Sequence, residues 1–171
     1  MRRGRGISCF ERGVDVKQKW KLLLVCLAVP LAVGALSALL SGNGMRTFSE
    51  LNQPPLSPPG WLFLVVWTIL YLAMGLASYL VLTSGASAEA IRKAIRVYAL
   101  QLAVNFFWSI LFFRFRLYLA AFVWLVLLWV LIIVTTIRFY RIRERAGDLL
   151  VPYLLWVTFA GYLNFGVYLL N

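Results

Sequence analysis

The chain has 171 residues, 63% of them apolar and 13% charged, with a net charge of +11 and a mean hydropathy of +0.85. Soluble domains carry about 45–50% apolar and about 25% charged residues, so a soluble globule this small could not cover its apolar surface, and disorder is excluded for the same reason. A spanning helix takes ~20 apolar residues, which leaves room for about five spans and for no second, soluble domain.

Residues 1–19 read as a basic, glycine-containing tail. Residues 20–41 form the first span. That run is longer than the ~7–15-residue core of a signal peptide, and no A-x-A-like cleavage site clearly follows it, so it reads as a retained helix. Residues 42–59 form a polar, proline-rich lid loop. Pro54, Pro55, Pro58 and Pro59 push the residues before them toward extended backbone, which argues against a helix in this loop. Pro59 suits a helix start, where a missing N–H costs little. The second span is 60–82, and 83–93 is a short connector in which Ser87, Glu89 and Ala90 resemble a helix start. The third span is 95–113, the fourth 117–138 and the fifth 149–170, with the strongly basic RFYRIRERAGD between the last two. No convincing internal repeat is visible, which argues against an inverted-repeat transporter. The fold class expected is an all-α integral membrane protein, a five-helix bundle.

Charge sets the expected orientation. With the N-terminus in the cytoplasm, 14 of the 17 Lys and Arg residues fall inside, and only Arg46, Arg114 and Arg116 fall outside. Positive-inside bias then predicts N-in and C-out, with the cell membrane as the expected location. Because the basic residues flank apolar runs, headgroups and orientation explain them better than nucleic acid does.

Composition also removes several chemistries. There is no histidine, the usual general base, zinc ligand and proximal haem ligand. None of the six acids lies within a long apolar run, which argues against mid-membrane carboxylate relays. Cys9 and Cys26 lack metal or redox spacing, so no metal site is expected. No phosphate loop, Ser/His/Asp set or HExxH motif is present.

What stands out is polar and aromatic spacing within the spans. Gln101, Asn105 and Ser109 share one face of the third span, beside Trp108. An amide in hydrocarbon needs a partner, so this stripe is either helix–helix glue or the polar spot of a cavity. Pro152, Trp156, Ala160, Asn164 and Tyr168 repeat every four residues in the fifth span. Trp67, Tyr71 and Gly75 do so in the second, and Pro30, Gly34 and Ala38 in the first. A small residue between a Trp and an Asn makes room for a neighbouring helix or for a flat ligand.

Three segments are more specific than any stripe: PPLSPPGWLFLVVWTILYLAMGLASYLV (54–81), QLAVNFFWSILFF (101–113) and VPYLLWVTFAGYLN (151–164). In order and spacing they resemble the translocator protein / tryptophan-rich sensory protein (TspO/MBR) family over about residues 22–171. The resemblance implies a five-helix bundle, often a homodimer. It also implies a membrane receptor or carrier for flat hydrophobic ligands, with a role in sensing or transport. The ligands implied are tetrapyrroles such as protoporphyrin IX and haem, and benzodiazepine-type drugs, with no obligatory cofactor. Sterols bind in some lineages.

The family's pocket opens beneath the loop after the first helix. Trp61, Trp67 and Tyr71 match its second-helix aromatics. Asn105 and Trp108 match its third-helix Asn and Trp, with Gln101 one turn before Asn105, and this moves Asn105 toward the pocket reading. Trp156, Ala160 and Asn164 match positions of similar character in the fifth helix. Leu56 stands where many members carry a tryptophan, and leucine cannot stack on a porphyrin or donate an indole N–H. Light- or oxygen-dependent porphyrin breakdown is therefore weakened as an alternative activity, with Trp156 the remaining candidate catalytic residue. The animal sterol motif lacks its basic residue after Phe165. A small exporter and an interaction protein without cofactor chemistry also compete with the receptor reading.

Overall fold

The computed structural model describes residues 9–42 and 44–171. Its long helices are α1 (Cys9–Ser41), α3 (Gly60–Leu82), α4 (Ala88–Ser109), α5 (Tyr118–Ile142) and α7 (Val151–Leu170), with two short ones, α2 (Gly44–Glu50) and α6 (Glu144–Asp148). Five helical segments are long and apolar enough to cross a membrane, and no strand occurs among the described residues.

The boundaries differ from expectation in ways that local chemistry explains. Residues 1–8 of the expected tail lie outside the described residues. From Cys9 onward the tail is helix, continuous with the first span. The lid loop contains α2, contrary to expectation: its prolines begin only at Pro54, and Gly42, at φ +73°, supplies the turn that leads into the short helix. The third span starts at Ala88, because Ser87 caps it by accepting the Ala90 N–H at 3.3 Å. A Glu89–Lys93 ion pair of 2.6 Å supports its first turn. At its other end α4 passes into a π-helical turn, Ile110–Arg114.

Helix α1 packs along α3, α4 along α5, and α5 along α7. One crossing follows directly from two residues. Pro30 lies inside α1 and has no N–H, so it cannot serve the Cys26 carbonyl one turn earlier. Gly75 of α3 packs at that carbonyl: a Cβ on Gly75 would stand 2.6 Å from the Cys26 oxygen and 2.8 Å from Leu27 Cα. The glycine therefore presents a Cα hydrogen to the carbonyl that the proline leaves unpaired, the small-residue contact by which membrane helices approach closely.

The interior is built from Met74, Leu128, Ile132, Tyr153 and Val157, all fully buried. Leu24, Trp61, Leu64, Ile69, Val123 and Leu155 are exposed. In water such an exterior would promote aggregation, whereas in a bilayer it is the solvated face.

Gly75→Ala should destabilise the bundle by about 1–3 kcal/mol, because the new methyl meets backbone that cannot rotate away. Gly161→Ala should cost far less, since only the Leu125 side chain stands near, at 3.3 Å. Thermal unfolding in detergent ranks the two, and an equal or reversed order would contradict this account of the α1–α3 crossing.

Candidate functional site

A cavity of about 840 Å³ lies at the lid end of the bundle, between α1 and α3 and below α2. Small residues form one wall: Gly34, Ala35 and Ala38 on α1. Aromatic rings form the others: Phe63, Trp67 and Tyr71 on α3, Trp108 on α4 and Phe113 in the π turn, with Phe48 of α2 overhead. The glycine at 34 matters because a Cβ there would occupy the Tyr71 ring. The ring thus lies directly on the α1 backbone. The cavity also reaches the exposed residues Ala38, Leu64 and Thr68, so it opens toward lipid between α1 and α3.

Trp67 is the centre of the aromatic set. Its ring lies 5.5 Å from Tyr71, 6.4 Å from Trp108 and 6.0 Å from Tyr153. Phe48 meets Phe63 edge-on at 5.1 Å and ties the roof to α3. The π turn lies beside the cavity and carries Phe113 into its wall. There the Ile110 N–H turns to the Phe107 carbonyl, and Ser37 on α1 donates to the Phe106 carbonyl at 2.7 Å.

Behind the wall, α4 carries three polar side chains inward, and each meets another helix. Gln101 Nε2 donates to Tyr153 Oη of α7 at 3.0 Å. Asn105 Nδ2 donates to Tyr71 Oη of α3 at 3.2 Å. Trp108 Nε1 donates to Asn164 Oδ1 of α7 at 3.2 Å, and Asn164 Nδ2 donates onward to the Tyr118 carbonyl at the start of α5 at 2.8 Å.

Of the residues expected at the site, Trp67, Tyr71 and Trp108 line the cavity. Asn105 stands behind Tyr71 and fixes its hydroxyl, and Gln101 lies deeper still. Ser109 is the member of the third-span stripe that reaches the cavity. Trp61 is 62% exposed and turns away from the cavity. Leu56 is 82% exposed at φ +67°, also away from it. Trp156, Ala160 and Asn164 are packed into the bundle rather than the wall: Trp156 lies behind Phe63, with ring centres 5.7 Å apart. Its Nε1 is buried without a partner among the described residues. The reason is geometric. A four-residue repeat shows which side chains share a face, not which neighbour that face meets.

Sequence reasoning missed Arg46, Phe48, Phe63 and Phe113. Arg46 and Phe48 lie in a stretch read as loop, whereas Phe113 stands four residues after Ser109, where one more step of the third-span stripe reaches it. Phe63 offered a signal, since it stands one turn before Trp67 on the same helix face.

The lid is fastened to the end of α7. Tyr162 Oη donates to the Pro55 carbonyl at 2.9 Å. Asn171 accepts from the Asn52 N–H at 3.1 Å and donates back to the Asn52 carbonyl at 3.0 Å. Pro54 packs on Gly166, where a Cβ would stand 2.6 Å from the proline ring. A second hollow of about 330 Å³ between α5 and α7 is a shallow, almost wholly apolar furrow on the lipid face, lined by Phe122, Trp129 and Phe165 among others. It lacks the roof and the polar groups of the first.

Comparison with known proteins matches the TspO/MBR family over residues 26–170. The chain is 41% identical over 150 residues to the tryptophan-rich protein TspO of Chlorobaculum tepidum, covering 87% of this chain and 95% of that one. It is 36% identical over 152 residues to the tryptophan-rich sensory protein of Cereibacter sphaeroides, covering 89% and 92%. It is 37% identical over 133 residues to the translocator protein of Homo sapiens, covering 77% and 79%.

Asn164→Leu should cost about 1–3 kcal/mol, since it strands Trp108 Nε1 in an apolar interior and removes the side-chain tie to the start of α5. Gln101→Leu should cost less, because Gln101 Oε1 itself has no partner among the described residues and the substitution removes that unmet acceptor. Unfolding midpoints of the two variants in the same detergent check the order. A larger loss for Gln101→Leu would contradict it.

Proposed function

Because the chain belongs to the TspO/MBR family, we propose that it is a membrane receptor or carrier that takes flat, hydrophobic ring systems into the cavity beneath α2, with a role in sensing or transport. Tetrapyrroles, protoporphyrin IX and haem, are the leading ligand class, and benzodiazepine-type drugs a second. The observation that carries the proposal is the cavity itself: about 840 Å³ walled by aromatic rings on one side and by Gly34, Ala35 and Ala38 on the other. That size falls in the range of small-molecule sites, roughly 300–1,000 Å³. Rings on Trp67, Tyr71 and Trp108 offer stacking surface, and Ala35 and Ala38 leave room for a planar molecule beside α1.

Ligand affinity then comes from stacking and burial. The chain has no histidine for axial coordination, so haem gains little over the metal-free ring. Trp156, the candidate for redox chemistry, stands behind Phe63 rather than at the cavity surface, so its position does not favour the degradation reading.

Titration of the purified protein with protoporphyrin IX and with haem, read by tryptophan quenching, should give saturable binding of similar strength for both. Trp67→Ala and Trp108→Ala should each weaken it by about tenfold. Trp61→Ala should leave it unchanged, since that ring faces outward. A haem preference of about a hundredfold (about 2.7 kcal/mol) would reject stacking as the main source of affinity.

The orientation we propose is N-in and C-out in the cell membrane. Charge supports it: Arg92, Lys93, Arg138, Arg141, Arg143 and Arg145 gather at the end opposite the lid, where Arg138 Nη1 donates to the Lys93 carbonyl at 3.2 Å. A reporter that is active only outside the cell, fused after Asn171, should be active, and its silence beside an active cytoplasmic reporter would reverse the assignment.

A further inference from the structure

Arg46 is the only charged residue among the described residues that line the cavity. It sits on α2, at the mouth, with the aromatic and small-residue walls below it. Its Nε donates to Glu50 Oε1 at 2.9 Å, and both side chains are largely exposed, at 78% and 56%. Glu50 does not line the cavity. The pair is thus an exposed contact one helical turn apart, the weak kind of ion pair. A guanidinium presents a planar fork suited to a carboxylate, so Arg46 can exchange Glu50 for an acid on a bound molecule.

The surroundings point the same way. Arg114 and Arg116 stand at this end of the bundle, and Glu50 is the only acid there among the described residues; Glu89, Glu144 and Asp148 lie at the far end. The mouth is cationic and the chamber apolar, so the complementary molecule has a hydrophobic body and an anionic edge.

We propose that Arg46 is a specificity-determining residue that selects ring ligands bearing a carboxylate at one edge, with Glu50 as the resident competitor for its guanidinium. The proposal rests on the cavity being the binding site for flat ring systems.

Protoporphyrin IX and its dimethyl ester share one ring and differ in charge, which makes them the probes. Both are titrated into the full-length protein in detergent, with tryptophan quenching as the readout. The wild type should bind the acid at least tenfold more tightly than the ester, and added salt should narrow that gap. Arg46→Ala should bring the acid down to the affinity of the ester while leaving the ester unchanged, so ester binding also reports an intact cavity. Glu50→Gln should tighten the acid severalfold and leave the ester alone. Arg114→Ala, at the same end of the bundle but outside the lining, should keep the preference. Equal binding of acid and ester by the wild type would overturn the proposal and leave the cavity reading standing. A preference abolished as fully by Arg114→Ala as by Arg46→Ala would also overturn it, in favour of a diffuse field. Saturable binding of neither molecule would remove the receptor reading and this one with it.

Discussion

The bilayer core holds no water, so a polar side chain turned inward must find its partner on another helix. Helix α4 carries Gln101, Asn105 and Trp108 into the interior, and their partners are Tyr153, Tyr71 and Asn164. Each bond is modest, about 0.6 kcal/mol where such contacts have been measured. Their effect is positional. They fix the rotation of α4 against α3 and α7, and with it the direction in which Trp108 and Tyr71 face. The cavity wall is the other side of this ladder: the Tyr71 hydroxyl accepts from Asn105, and its ring faces the chamber.

The lid depends on the same economy of partners. Its backbone between Asn52 and Ser57, with a turn at Pro55 and Leu56, belongs to no helix, so α7 supplies bonds through Tyr162 and Asn171. Phe48 and Pro54 then bury apolar surface against Phe63 and Gly166. The roof is held at both ends, by α3 through an aromatic contact and by α7 through hydrogen bonds. Arg46 is carried between these anchors, at the edge where chamber meets solvent.

Much of this is legible in the residues. Hydropathy marks the spans because lipid imposes a length, and the segments 54–81, 101–113 and 151–164 mark the family. Trp67, Tyr71 and Trp108 are expected at the site from the sequence and do line the cavity. Less is legible where a decision depends on neighbours. The prolines of the lid hide a seven-residue helix that precedes them. The helical continuation from Cys9 to the first span has no apolar signature. The fifth-span stripe of Trp156, Ala160 and Asn164 is regular, yet it faces the core rather than the chamber, because α3 and its Phe63 stand between. Asn105 answers to one reading of its stripe: it is helix–helix glue and does not line the cavity, though the Tyr71 it holds is a wall residue.

Position 34 has a larger consequence than its size suggests. With only a hydrogen there, the phenol of Tyr71 rests against the backbone of α1 and leaves the hollow clear. Any side chain at that point would drive the ring across the space in front of Trp67. The room available to a guest is therefore gated by a missing methyl group, and a relative with alanine in this place would have to reshape its chamber from the opposite wall.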